Sequence, residues 1–129
     1  MILVDTSVWI DHLHTSEPRL VKLLVEGQVA AHPMVVGELA LGSIRDRPTV
    51  LHLLGSLPQT GVATHAEVLA LVEAHGLHGK GLSLVDAHLL AAALITPEAA
   101  LWTRDKRLHR TAVDLGCAWP DGRGRARRR

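Results

Sequence analysis

Short apolar runs of about three residues, each followed by a segment of helical periodicity, constrain this chain more than any other feature. Ile2-Leu3-Val4, Val29-Ala30-Ala31 and Ala100 to Thr103 are too short to be helices and read as buried strands. Asp5-Thr6-Ser7 offers N-cap residues for a helix carrying Val8, Trp9, Ile10 and Leu13. Pro18 opens a helix that stops at Gly27, Pro33 one that runs through Glu38 to Gly42, and Pro48 one that ends near Gly55. Thr64-His65-Ala66-Glu67 is a capping box for a helix ending at Gly76. Ser83 caps the most apolar helix, Leu84 to Ile95, which stops before Pro97, and a last helix runs from Asp105 to Gly116. Cys117 to Trp119 is expected to add an edge strand. Strands alternate with helices and no two adjacent runs form a hairpin, so the pattern predicts an α/β domain. Its architecture would be three layers, α/β/α, around a short, mostly parallel sheet.

A chain of 129 residues is one domain, long enough to bury a core without disulfides. The single cysteine, Cys117, excludes a disulfide framework and a cysteine zinc cage, and fits a reducing cytosol. The start has no basic segment, and an acid follows only three apolar residues after Met1, so no signal peptide is expected. The longest apolar run, Leu89 to Ile95, is far short of the roughly 20 residues that span a bilayer. These features predict a soluble, cytoplasmic protein with no membrane partner.

The net charge of +1 hides an asymmetry. Five of the 14 Lys and Arg residues lie in the last seven positions; the other nine stand against 13 acids, so residues 1–122 carry a net −4. The expected organisation is a folded domain over residues 1–121 and a flexible arginine-rich tail over 122–129. Such a tail is either simply solvated or attracts phosphate in a way that salt screens.

Four acids map to one edge of this fold. Ligand sites in open parallel sheets lie outside the carboxyl ends of the strands, where the following helices also begin. Asp5 directly follows the first strand and Asp105 follows the third by two residues. Asp86 lies in the first turn after the Ser83 cap, and Glu38 in the second turn after Pro33. Taken singly, Asp5 and Asp105 read equally well as helix caps, Asp86 as half of a capping box and Glu38 as a solvated helix residue. The neighbours weigh against that. Met34, Val35, Leu41 and Gly42 surround Glu38 at helical spacing, and Leu82, Ser83, Leu89 and Leu90 surround Asp86. A carboxylate on an apolar face is costly unless paired or bound to a cation, and no arginine or lysine is evidently placed to pair with either.

Carboxylate oxygens suit hard cations, so the residues point to Mg²⁺ or Mn²⁺, one or two ions. Two such ions about 3.5–4 Å apart serve in-line phosphodiester hydrolysis without a nucleophilic serine or cysteine. Other signals are weaker. His12-x-His14 and His75-x-x-His78 have no cysteine or third ligand nearby, and Gly76, Gly79 and Gly81 fit neither a P-loop nor a dinucleotide fingerprint. With no Phe or Tyr there is no aromatic platform for bases, and Trp9 and Trp102 read as core.

Four segments, in order, resemble a known family. Met1 to Asp11 resembles the opening of PIN domains, especially VapC-type toxins of toxin–antitoxin pairs. Val36 to Gly42 is similar to the family's glutamate motif, Ser83 to Ala93 to its third-acid helix, and Leu101 to Leu108 to its last motif. Leu108 stands where the family often has an aromatic, and the arginine tail lies outside the pattern. The resemblance implies a Mg²⁺- or Mn²⁺-dependent endoribonuclease that cuts structured RNA, tRNA or ribosomal RNA, and stops translation. It implies Asp5, Glu38, Asp86 and Asp105 as catalytic and metal residues, Asp5 and Asp86 foremost, with Thr6 and Thr103 as supporting hydroxyls. It also implies a homodimer and a cognate VapB-type antitoxin. The alternatives are a non-catalytic PIN-like module that binds RNA or protein, and a phospho-acceptor domain. The latter needs a lysine at the end of a late strand, and Lys22, Lys80 and Lys106 do not stand there.

Overall fold

The computed structural model describes residues 1–120; the arginine tail and the residue boundary drawn for it lie outside the described residues. Three short strands form a parallel sheet in the order β2-β1-β3, with β1 over Ile2–Val4, β2 over Val29–Ala30 and β3 over Ala100–Trp102. The register pairs Leu3 with Ala30 on one side and with Leu101 on the other, so β1 is central. Its side chains Leu3 and Val4 are fully buried, as a central parallel strand requires. The expected edge strand at Cys117 to Trp119 is reduced to a single parallel bridge, Leu101 to Ala118, held by Leu101 N–H to the Cys117 carbonyl and Trp119 N–H to the Leu101 carbonyl. A second bridge, Ala31 to Gln59, extends the opposite edge and was not foreseen.

Among the described residues there are seven helices around the sheet and on one another: α1 Thr6–His14, α2 Pro18–Val25, α3 Pro33–Leu41, α4 Arg47–Ser56, α5 His65–His75, α6 Leu84–Ile95 and α7 Lys106–Asp114. The architecture is the predicted α/β/α arrangement. Helix α6 is the most buried, with Ala87 to Ala93 all buried. A helix apolar all round belongs in the interior, and its small Ala91, Ala92 and Ala93 let β3, α3 and α5 approach. Trp9 and Trp102 are core residues, and Trp102 packs on Trp119 with ring centroids 4.5 Å apart.

This arrangement brings the start of α1 to the end of β1, and the start of α7 just beyond the end of β3. Asp5 N–H donates to the Trp102 carbonyl at 2.9 Å, so the two neighbouring strand ends are locked together where the first and last acids stand.

Candidate active site

Asp5 is the N-cap residue of α1, yet its side chain caps nothing. Its carboxylate is buried, and Oδ2 accepts two hydroxyls, from Ser7 at 2.8 Å and from Thr103 at 2.7 Å. The reading of Asp5 as a mere helix cap therefore fails. Thr103, itself buried past the end of β3, also accepts the Asp105 N–H at 3.1 Å. One hydroxyl thus ties the first acid to the backbone of the last.

Asp86 and Asp105 do cap helices, each with a single oxygen. Asp86 Oδ2 accepts the Ser83 N–H at 2.9 Å, completing the capping box of α6. Asp105 Oδ1 accepts Arg107 N–H and Leu108 N–H, both at 3.0 Å, at the start of α7. Glu38 differs from expectation. Apolar neighbours at helical spacing suggested a buried carboxylate, but α3 turns this face outward: Glu38 is exposed and Leu41 is 92% exposed. Glu38 is held instead by Thr6, whose hydroxyl donates to Oε1 at 2.6 Å.

All four acids share one pattern. Each gives one oxygen to donors of the protein and keeps the other, Asp5 Oδ1, Glu38 Oε2, Asp86 Oδ1 and Asp105 Oδ2, without a hydrogen bond among the described residues. Asp86 also feels the charges of the other two aspartates. Burial pushes the Asp86 carboxyl above its ordinary value; the Ser83 N–H opposes this, while the negative charges of Asp5 and Asp105 add to it. Glu38 is not among these electrostatic partners and joins the group only through Thr6, next in the chain to Asp5.

Sequence reasoning named Thr6 and Thr103 and missed Ser7. Its hydroxyl donates to Asp5 Oδ2 and accepts the Arg104 N–H at 3.1 Å, so it fixes the acid from a second side. A hydroxyl two residues after a key acid, in the first turn of a helix, was the available signal. A second missed feature is the half-buried Arg104, which donates to Asp11 at 2.8 Å and to Glu17. The Glu17 carboxyl is lowered to about 2, first by the hydrogen bond from the Arg19 side chain, with that from Arg104 among the further causes. Arg104 thereby pairs with carboxylates outside the four-acid group.

The donors suit a hard cation. All are carboxylate oxygens, and each acid has an oxygen to spare. Among the described residues no group of three or more Asp, Glu, His or Cys side chains is placed so that it could hold a metal ion by itself. An ion bound here would have to draw on water and substrate oxygens as well as one or two carboxylates, as Mg²⁺ can.

A family model described as the PIN domain matches residues 2–114. Over 118 residues the chain is 52% identical to the proteins named Ribonuclease VapC32 of two Mycobacterium tuberculosis strains, CDC 1551 / Oshkosh and ATCC 25618 / H37Rv; the match covers 92% of this chain and 95% of each relative. Among solved structures, the crystal structure of FitAcB from Neisseria gonorrhoeae superposes with a TM-score of 0.55 at 25% identity, covering 88% of this chain and 94% of that one. A structure of FitAB bound to an IR36 DNA fragment gives the same TM-score at 22% identity, over 88% and 91% of the two chains, and supports the fold alone. The chain belongs to the PIN-domain family and, within it, to the VapC type.

Proposed function

We propose that this protein is a metal-dependent endoribonuclease, the toxin of a VapBC-type pair. It would hydrolyse phosphodiester bonds of structured RNA, tRNA or ribosomal RNA, in the cytoplasm, as a homodimer held in check by a cognate VapB-type antitoxin. The observation that carries this reading is the shared pattern of the four acids, one oxygen engaged and one to spare. The relatives' printed name, Ribonuclease VapC32, supports the same chemistry. That no helix among the described residues is long and apolar enough to cross a membrane agrees with it.

In this reading Asp5 and Asp86 are the principal ligands of Mg²⁺ or Mn²⁺, and Glu38 and Asp105 complete the site directly or through water. When bound, one or two such ions would activate water and stabilise the leaving oxygen of an in-line displacement. The protein's own contribution is orientation. Ser7 and Thr103 fix Asp5, Thr6 fixes Glu38, and the α6 and α7 caps fix Asp86 and Asp105, so no carboxylate has to reorganise when substrate arrives. Committing Arg104 to Asp11 and Glu17 keeps a cation from neutralising the ligands.

The test is incubation of the purified protein with total RNA in chelator, Mg²⁺ and Mn²⁺, followed by mapping of the new 5′ ends. Discrete internal cuts that need the metal are expected. Intact RNA under all three conditions, from a protein shown to be folded, would leave the non-catalytic module as the reading. Co-expression with the product of a short neighbouring reading frame, followed by co-purification, tests the antitoxin. Sedimentation of the free protein tests the homodimer.

A further inference from the structure

We propose that Lys80, Arg107 and Arg110 form a phosphate-binding subsite that holds the RNA backbone beside the carboxylates. These three cations, with Thr111 and Asp114, line a cleft of about 210 Å³ between the loop before α6 and one face of α7. Arg107, Arg110, Thr111 and Asp114 follow helical spacing, so they share that face. Lys80 reaches the cleft from the loop. None of the three cations forms an ion pair among the described residues. That is notable in a body where acids outnumber bases by four. Three positive charges facing one carboxylate, Asp114, leave a surplus that a polyanion can neutralise.

Gly81 explains how the cleft is built. It sits at φ +77°, and a Cβ there would lie 2.5 Å from Arg107 Nη1 and 2.7 Å from its Cδ. The guanidinium is laid against the loop where any other residue would carry a side chain. The glycine therefore serves two needs, the left-handed turn and the close approach of the arginine.

The walls of the cleft continue directly into the acid site. Gly81 lies two residues before Ser83, whose N–H holds Asp86, and Arg107 lies two residues after Asp105 and donates its own N–H to that acid. A nucleic-acid strand laid across the carboxylates would carry its neighbouring phosphates to this cleft. The inference rests on the nuclease reading for its choice of RNA. A four-acid site repels its polyanionic substrate, so an adjacent cationic anchor supplies the attraction that the site lacks.

The test is fluorescence anisotropy of a labelled single-stranded oligoribonucleotide in EDTA, which measures binding without cleavage. Wild type is compared with Lys80→Ala, Arg107→Ala, Arg110→Ala and the triple variant. Each lost phosphate contact should lower the slope of log affinity against log salt by about 0.7, or about 2 for the triple variant. The affinity gap between wild type and triple variant should then shrink on the order of 20-fold between about 50 and 200 mM salt. Lys22→Ala, an exposed lysine of α2 outside the cleft, should leave the slope unchanged. An unchanged slope in the triple variant, or an equal loss per charge from Lys22→Ala, would overturn the subsite. So would competition by poly-glutamate as strong as that by RNA, which would mark a site for acidic protein. A stabilisation by inorganic phosphate that the variants abolish, with the RNA slope intact, would mark a free-anion site instead. If the wild type leaves RNA intact in Mn²⁺ while the slopes differ as expected, the nuclease reading falls and the subsite stands; cleavage with unchanged slopes has the opposite meaning.

Discussion

Thr103 donates its hydroxyl to Asp5 Oδ2 across 2.7 Å, joining residues 98 positions apart in the chain, and its own Oγ1 accepts the Asp105 N–H. Thr103→Val keeps the shape and removes both bonds. It leaves a backbone N–H without its acceptor and Asp5 held by Ser7 alone. RNA cleavage should fall about 10- to 100-fold, the usual scale for losing a group that orients a metal ligand. Stability should fall by about 1–3 kcal/mol. Steady-state kinetics with urea unfolding checks both, and Thr103→Ser should recover most of the activity. A valine variant that cuts at the wild-type rate would reduce Thr103 to packing.

Asp5→Asn and Asp86→Asn should each lower cleavage by roughly two to three orders of magnitude or more, the scale of losing a charge-stabilising group at a reacting centre. An amide preserves shape and the hydrogen-bond acceptor but removes ligand charge. Circular dichroism should stay that of the wild type, and expression in cells should no longer arrest growth. Near wild-type cutting by either variant would remove that acid from the site.

Much of this was legible in the sequence because it is local. The strand–helix alternation, the Ser83 and Thr64 capping boxes and the stop at Pro97 are set by residues a few positions apart, and the helices begin and end within a residue or two of expectation. The hydroxyl partners Thr6 and Thr103 were reached through the family resemblance, not through spacing. Three features were not legible. The exposure of Glu38 depends on how α3 is turned against its neighbours, which the apolar residues around it could not reveal, since Leu41 is exposed as well. The pairing of Arg104 with Asp11 and Glu17 joins residues about 90 positions apart, with no local trace. The cleft of Lys80, Arg107 and Arg110 likewise exists only because the loop at Gly81 meets α7.

Glu17, held first by Arg19 and further by Arg104, should set part of the acid sensitivity of the fold. Glu17 titrates at about 2 when folded, against an ordinary value of 4.5. A lowered acid stabilises the fold above its unfolded value, and that contribution is lost as pH falls through the window from 4.5 to about 2. Urea midpoints should therefore drop between about pH 5 and pH 3 more steeply for wild type than for Glu17→Gln. Parallel curves for the two proteins would show that Glu17 contributes nothing to the pH dependence.

Asp86→Asn should also weaken the protein's response to metal, because its carboxylate carries an electrostatic cost that a cation would remove. The folded-state value of Asp86 is raised, chiefly by burial, with the charges of Asp5 and Asp105 adding to it. A raised acid destabilises the fold when charged: the cost is absent below the unfolded value and fully present above the folded one, so the comparison belongs at a pH where Asp86 is charged. Removing that charge should raise the melting temperature in chelator. The cap is retained, since the asparagine oxygen can still accept the Ser83 N–H. The opposing loss, an acid in the first turn of α6, is worth only about 0.3–1 kcal/mol. In wild type, a metal at a hundredfold excess over its dissociation constant adds about 2.7 kcal/mol. For a domain of this size that corresponds to a rise on the order of 10 °C. The variant, lacking one principal ligand and one negative charge, should show a much smaller rise. Melting curves of both proteins, in EDTA and in Mn²⁺ at matched ionic strength, decide the point. Equal rises would mean that Asp86 serves only to cap α6, and the metal would have to be held by Asp5, Glu38 and Asp105 without it.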